Sequence, residues 1–304
     1  MRTFEKNLLI NTTTDRRITM KLLKVIDKNL KSPFQNFKYK IGKEYVCTDF
    51  DESDKECSNG FYATDFNGLS YCYRKGQVVY EDEVGGKKKE FDEFKRRFDK
   101  ITVLRKLTKK ELIAGLKIAN EQMGYDVLHS VFPVNPLRGN TKTVTEKEVE
   151  LLKIWASVRA SAIRSGSVRA SVWDSVADSV RNLAIDSVTG SLLAWALVID
   201  SVRASVWDSV WASIKAAVIQ SGSASDSVWA SVIDSVIDSV RAYISSLFPN
   251  IKKWEHIEYE EGVNPFLSVI TLWNRGFIPS FDGKIWRLHS GKTAKVVYEE
   301  KIGE

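Results

Sequence analysis

Residues 226–241 read DSVWASVIDSVIDSVR, and this four-residue pattern of Ser, Val, a variable residue and then Ala or Asp decides the architecture of the middle of the chain. The same pattern runs through residues 167–191 and 201–213, with a phase slip between the blocks. A short internal period of this kind identifies a repeat region. Two architectures fit the pattern: helices packed side by side, or a β-solenoid in which small and aliphatic side chains point inward.

The Asp positions of the repeat favour helices. In a strand, Val and the Ala or Asp position would share the core face, where an unpaired carboxylate is costly. In a helix the two positions lie about 200° apart. Each two-residue slip rotates a helix by a similar angle and returns the drifting Val stripe to its original side. The sequence therefore predicts helices over 146–164, 168–188, 192–220 and 226–247, packed as antiparallel hairpins.

Six tryptophans lie in this region, and we interpret them as core or inter-helix filler. A stacking platform for nucleic-acid bases is the alternative, although the region has no basic stripe. They are Trp155, Trp173, Trp195, Trp207, Trp211 and Trp229.

Residues 20–125 are predicted to form a small α+β domain. Short apolar runs separated by Gly turns indicate strands, and Thr108 with Glu111 forms a capping box that opens a helix of about three turns. Residues 126–144 contain Pro and Gly and indicate a linker. Residues 1–19 are interpreted as a tail or a misassigned start, because a strand-like run opens directly after them.

A second capping box, at Thr145 and Glu148, opens the repeat region, which we place at 145–248. Residues 249–304 are predicted to form a compact module with a short helix and a β-hairpin, which caps the open end of the repeat stack. The predicted fold class is therefore α+β: a small N-terminal mixed domain, a central region of helical hairpins built from tetrapeptide repeats, and a small C-terminal β-hairpin cap.

Composition and cysteine usage indicate a cytoplasmic protein. The chain has 304 residues, of which 43% are hydrophobic, and it has no uncharged apolar run of 18 residues, so no membrane span is predicted. The first twenty residues lack the apolar core of a secretory signal. Cys47, Cys57 and Cys72 are interpreted as reduced thiols, and a Cys47–Cys57 bridge would need an oxidising compartment.

The net charge of +6 arises in the first half of the chain. Residues 1–150 hold 29 Lys and Arg against 23 Asp and Glu, whereas residues 151–304 hold 16 of each. Acidic residues are interleaved with the basic ones, which favours a solvated face; a surface for phosphate groups is the alternative. The candidate basic binding surface consists of Lys87, Lys88, Lys89, Lys95, Arg96, Arg97 and Arg105.

The chain carries no recognisable catalytic or cofactor motif. It lacks GxGxxG after a strand, GxxxxGK[ST], HExxH and GxSxG. His256 lies in an acidic stretch with Glu258, Glu260 and Glu261, which we interpret as a solvated face, with a divalent metal site as the alternative. The sequence predicts no catalytic residue, no cofactor and no resident metal.

Three short segments carry a family resemblance: KYKIGKEY at 38–45, CSNGFYA at 57–63 and ITVLR at 101–105. They resemble a family of small domains of unknown function that is common in tailed phages and gut-bacterial mobile elements, where the domain often precedes low-complexity repeats. That family usually has His where this chain has Tyr62, so no role for that His transfers. The segment LWNRGFIPSFDGKIWRLH at 272–289 resembles tails that follow such repeats. The resemblance implies a phage or prophage source and no known activity.

These features lead to one main functional hypothesis and two alternatives. The main hypothesis is a non-enzymatic interaction or structural accessory protein of phage origin in the host cytoplasm, with the repeats as scaffold, the N-terminal domain as recognition end and an unidentified protein as partner. The first alternative is nucleic-acid binding through the basic N-terminal domain. The second is a nucleotide-using enzyme in that domain, around Gly60 and Arg97.

Overall fold

The computed structural model describes residues 19–33, 37–55, 58–90, 94–164, 172–186, 196, 198–200, 202, 206, 210–215 and 226–302. These residues fall into two compact units. The first consists of the residues up to Asp65 together with Val78–Leu107, and the second of Phe66–Gln77 together with the residues from Thr108 onward.

The first unit is an antiparallel sheet. Its strands are β1 (Met20–Ile26), β2 (Glu44–Val46), β3 (Phe61–Ala63), β4 (Val78–Glu90) and β5 (Arg96–Lys106). The order is β1-β4-β5-β2, and β3 also pairs with β5. Two backbone hydrogen bonds between Leu23 and Thr64, of 2.7 and 3.0 Å, bring β1 beside the end of β3.

The interior of this sheet is apolar and aromatic, with one buried acid. Leu22, Ile26, Val84 and Val103 are buried in it, and a group of aromatic rings with centroids 4.8–6.4 Å apart packs against it. Asp82 is fully buried in β4, and among the described residues neither of its carboxylate oxygens has a hydrogen-bond partner. Because desolvation disfavours the ionised form, the pKa of Asp82 rises to about 7, although the charge of Lys24 partly offsets this.

The second unit begins with three short helical segments and one longer helix. They are α1 (Leu69–Cys72), α2 (Lys109–Met123), α3 (Val127–Val131) and a 3₁₀ turn at Pro136–Arg138. The predicted capping box is present: the Thr108 hydroxyl accepts from the Glu111 amide, and the Glu111 carboxylate accepts from the Thr108 amide at 2.8 Å. The helix ends at Gly124, whose φ of 70° is the left-handed cap that glycine adopts readily.

The described repeats are helical, so the predicted α+β class with helical repeats is confirmed, and the β-solenoid alternative is wrong for them. The helices are α4 (Glu146–Arg164), α5 (Val172–Asp186) and α6 (Asp226–Ser245), and residues 210–215 are also helical. The rest of the helix predicted at 192–220 lies mostly outside the described residues. Across these repeats the described, buried valines are Val172, Val176, Val180, Val198, Val202, Val206, Val210, Val232, Val236 and Val240.

The repeat's Asp and Ser positions explain why the pattern folds as a helix. Asp234 is exposed and Asp174 half-buried, as a helix predicts, whereas Asp238 is buried but paired with Arg159 of α4 at 2.8 Å. The buried serines Ser179, Ser235 and Ser239 donate to carbonyls one turn earlier, for example Ser239 to Ser235 at 2.9 Å, which satisfies these hydroxyls inside the core. The buried Ser175 hydroxyl has no hydrogen-bond partner among the described residues.

Tryptophans of this region fill space between elements. Trp155 is completely buried, and the rings of Trp211 and Trp229 meet edge to face at 5.7 Å. The side chains of Trp173, Trp195 and Trp207 lie outside the described part of the structure.

The C-terminal part contains helix α7 (Leu267–Asn274) and a three-stranded antiparallel sheet of β6 (Phe277–Phe281), β7 (Trp286–Ser290) and β8 (Lys295–Glu300). The hairpin β7–β8 was predicted; strand β6 was not. Helix α6 packs against β6, and α7 packs against α4. None of the described helices combines the length and the apolar character needed to cross a bilayer.

Candidate functional site

The outer edge of β8 is open. Strand β7 pairs with one side of β8, and no backbone hydrogen bond connects the other side to any described segment. The opposite edge of the sheet differs, because β6 contains Pro279, packs against α6, and its Phe281 amide donates to the Ser235 hydroxyl at 2.8 Å. Unpaired N–H and C=O groups of an edge strand are a template for another strand, so β8 is the edge of this sheet that can accept one.

An open groove of about 800 Å³ runs along this edge. It has three walls: β8, the irregular segment 142–145, and the first turns of α4. Four consecutive residues of β8 line it, Lys295 to Tyr298. Lining residues come from both faces of β8, so the groove borders the outer edge of this strand, and Val297 within the run is an extra residue that shifts the pairing of β8 with β7.

The helical wall is one face of α4. Its lining residues are Glu146, Val149, Glu150 and Lys153, which lie at positions i, i+3, i+4 and i+7. This spacing places all four on one side of the helix. The groove therefore has the geometry of a strand edge facing a helix face, with room between them.

Local interactions hold the walls in place. The Glu148 carboxylate caps α4 by accepting from the Thr145 amide at 2.9 Å, and Arg275 pairs with it at 2.6 Å. Burial by itself would raise the pKa of Glu148, but the Thr145 hydrogen bonds and the Arg275 charge outweigh it and leave this pKa below its ordinary value. Segment 142–145 is fixed to the sheet, since the Lys142 amide donates to the Ser290 hydroxyl at 3.1 Å.

Charges are ordered along the groove. Lys142 and Lys295 line it together with Glu146 and Glu150, and none of these four forms an ion pair with a described residue. Lys153 pairs with Glu300 at 3.2 Å, between the two walls. The Tyr298 hydroxyl donates to Glu300 at 2.7 Å, and this bond together with Lys153 lowers the pKa of Glu300.

The basic residues predicted as a binding surface lie in the first unit, and most of them are paired with acids there. Five side chains form ion pairs within this unit: Lys87 with Glu52 at 2.6 Å, Lys88 with Glu90 at 2.9 Å, Lys89 with Asp54 at 2.6 Å, Arg96 with Asp65 at 3.2 Å and Arg105 with Glu81 at 2.7 Å. Lys95 lies over the Tyr62 ring, 4.8 Å from its centroid. The binding role of this surface stays a prediction.

Arg97 differs from its neighbours because it is fully buried. Its guanidinium donates to the carbonyls of Ser53 at 2.7 Å and Lys55 at 3.0 Å, to the Asp51 carbonyl and to the Tyr62 hydroxyl at 3.1 Å. This arrangement ties the loop 51–55 to β5. Sequence reasoning could not separate Arg97 from Arg96, since both are charged residues of one basic cluster.

A Ser–His pair lies inside the C-terminal sheet. His289 donates from Nδ1 to the Ala294 carbonyl at 3.0 Å, so Nε2 accepts from the Ser280 hydroxyl at 2.7 Å. These are the contacts of a nucleophile and its base, but both residues are only 1% exposed. Burial lowers the pKa of His289 to about 4. The pair is closed to a substrate and holds β6 against β7.

The remaining candidate ligands are dispersed. The described residues contain no group of three or more His, Cys, Asp or Glu that could hold a metal ion. His256 pairs with Asp178 of α5 at 3.0 Å, and Glu258, Glu260 and Glu261 lie in an irregular loop. Cys47 and Cys72 form no disulfide with a described residue, and Cys57 lies outside the described residues.

Comparison with protein families gives a match in the N-terminal third of the chain. Residues 20–115 match the family described as Domain of unknown function (DUF7666). The DUF7666 match begins at β1 and ends within α2, and so it agrees with the predicted resemblance to a domain of unknown function. The chain matches no curated protein and no solved structure. The groove is built entirely from residues outside the DUF7666 match.

Proposed function

We propose that this chain is a non-enzymatic protein-interaction protein that takes up an extended segment of a partner along the free edge of β8. One observation carries the proposal: four consecutive β8 residues and one face of α4 line the same open groove. Strand addition gives affinity through main-chain hydrogen bonds and specificity through pockets for alternate side chains. In this groove the β8 edge supplies main-chain groups, and the lining residues of α4 supply side-chain contacts.

The groove suits a single strand better than another sheet. Helix α4 lies opposite the β8 edge, so a second sheet continuing beyond an added strand would meet the helix. Four of the six β8 residues line the groove and offer about 13 Å of edge for pairing, because the Lys153–Glu300 pair joins the two walls beyond them. The partner segment is therefore a short extended stretch of about six residues, of which about four pair with β8.

Other parts of the hypothesis rest on the sequence. The repeats serve as a rigid scaffold that carries the groove, and the C-terminal strands cap the repeat stack. The resemblance of residues 38–105 to domains of phages and mobile elements supports a phage-type accessory protein acting in a host cytoplasm. Nucleic-acid binding has less support, because five of the seven candidate cations are already in ion pairs and Arg97 is buried.

A steric block tests the proposal. Val149→Trp fills the groove from the α4 wall, whereas Ile154→Trp adds the same ring to an exposed position of the same helix outside the lining. A hexapeptide library displayed on phage should yield peptides that protect β8 amides from hydrogen exchange in the wild type and in Ile154→Trp, but not in Val149→Trp.

The result has a clear contrary outcome. Peptides that bind Val149→Trp as well as the wild type, or that leave β8 amides unprotected, would overturn strand addition. Circular dichroism of both variants checks that each retains the wild-type fold.

A further inference from the structure

The acidic residues of the α4 wall have the spacing of alternate residues in a strand. Glu146 and Glu150 are four residues apart on one helix face and line the groove. Four residues of helix advance about 6 Å, and two residues of extended chain advance about 6.6 Å. A strand paired with β8 points alternate side chains to the two faces of the sheet, so two side chains on one face have nearly the same spacing as these two carboxylates.

The other end of the groove is basic. Lys142 lies four residues before Glu146, in the irregular segment 142–145, and Lys295 is the first residue of β8. Neither lysine has an acidic partner among the described residues. Passing from this end along the wall, a bound segment would meet two cations, then two carboxylates, and then the Lys153–Glu300 pair, which is already neutralised.

The positions between the charges are less polar. Val149 lies on the α4 wall between Glu146 and Glu150, and Val296 and Val297 line the β8 side. All three are half-buried. Small apolar side chains of a bound segment would bury surface against them without leaving a charge unpaired.

We infer that the groove selects an extended segment with basic side chains at alternate positions on one of its faces, where they can reach Glu146 and Glu150, apolar residues between them, and an acidic group at the end beside Lys142 and Lys295. This inference rests on the proposed function, since it specifies the partner of the same groove. Charge complementarity of this kind fixes register and excludes segments of the opposite pattern.

Synthetic peptides test the inference on the full chain. The probes are acetyl-DVKVKV-amide and its reversed order acetyl-VKVKVD-amide, which cover both chain directions. The comparison peptides are the charge-reversed acetyl-KVEVEV-amide and acetyl-VEVEVK-amide, and the scrambled acetyl-KKDVVV-amide, which has the same composition without alternation. One of the two probes should bind at least tenfold more tightly than every comparison peptide.

Protein variants locate the selectivity. Glu146→Gln combined with Glu150→Gln should weaken the preferred probe about tenfold. Glu258→Gln combined with Glu261→Gln removes the same charge from an exposed loop outside the groove and should leave the affinity unchanged. Hydrogen exchange of the β8 amides is recorded with each peptide.

The outcomes separate the two proposals. If peptides protect β8 amides without regard to charge, or if the Glu146 and Glu150 variant binds the probes as the wild type does, strand addition stands and the charge selectivity is wrong. If neither these peptides nor those from the displayed library protect the β8 amides, both proposals are wrong.

Discussion

Gly115 illustrates how a single missing methyl group can determine packing. It lies buried within α2, and a Cβ at this position would stand 2.2 Å from two ring atoms of Phe66. Alanine normally favours a helix over glycine by about 1 kcal/mol. Here the ring must move to admit the methyl group, so close packing outweighs helix propensity.

We expect Gly115→Ala to destabilise the protein by about 2 kcal/mol, the usual cost of overpacking. Gly139→Ala is the control, because its φ of −88° suits any residue and nothing lies within 4 Å of a Cβ there. Urea unfolding of both variants measures the difference. A Gly115→Ala protein as stable as the wild type would mean that Phe66 has room to turn aside.

His289 should remain neutral in the folded protein well below neutral pH. Its folded pKa is about 4, whereas an unfolded His titrates near 6.5, so the unfolded chain binds the extra proton between these values. Stability therefore falls as pH decreases from about 6.5, by about 2 kcal/mol between pH 7 and pH 5. Unfolding at the two pH values, compared with His289→Gln, isolates this contribution; equal slopes in the two proteins would contradict it.

Among the elements, α4 and α6 share the buried ion pair of Arg159 and Asp238. The two side chains meet at 2.8 Å and are 10% and 9% exposed. Breaking such a pair leaves one uncompensated buried charge, so Asp238→Ala should cost about 3–5 kcal/mol. The double variant Arg159→Met with Asp238→Leu should lose less than Asp238→Ala alone.

A more exposed ion pair in α5 serves as a control for the buried pair. Arg181 and Asp178 meet at 2.6 Å, but their side chains are 59% and 34% exposed. Asp178 also meets His256 at 3.0 Å, so the control is Arg181→Ala, which removes this pair alone and should change stability by less than about 1 kcal/mol. Thermal unfolding of the three variants gives the comparison, and similar losses for Asp238→Ala and Arg181→Ala would show that burial is not what distinguishes the pairs.

Elements with strong local signals were predicted well. The capping boxes at Thr108 and Thr145 mark the starts of α2 and α4 because they depend on residues three apart. Strand β6 was missed because Pro279 argues against a strand, yet proline is tolerated on an edge that has no ladder partner. The groove could not be predicted, since residues 142–153 and 295–298 are distant in sequence and ordinary in composition.

At the scale of the whole molecule, Asp82 in the first unit and His289 in the second should respond to pH in opposite directions. In the first unit Asp82 has a folded pKa of about 7, far above its value of about 3.9 in an unfolded chain. The folded form keeps the proton that the unfolded form loses, so this contribution is full below pH 4 and is lost as pH rises to 7, by about 4 kcal/mol in total. His289, in the second unit, acts in the reverse sense.

Hydrogen exchange of β4 amides and β7 amides, corrected for the intrinsic rates at pH 5 and pH 7, separates the units. Protection of β4 should decrease toward pH 7 while protection of β7 increases. Asp82→Leu removes a buried carboxyl without partners, so it should abolish the β4 trend and leave β7 unaffected. Parallel trends in the two units would refute the assignment.

The bulge in β8 affects how a bound strand can align with this edge. Between Leu288 and His289 of β7 the pairing shifts, so Val297 has no partner residue across the ladder. The extra residue interrupts the regular spacing of the outward N–H and C=O groups, so those before the bulge and those after it do not follow one continuous pattern. A strand laid along the whole edge would fit in a single alignment, and a partner with a repetitive sequence could not slide past it. The bulge at Val297 would therefore fix the register of the bound chain on β8.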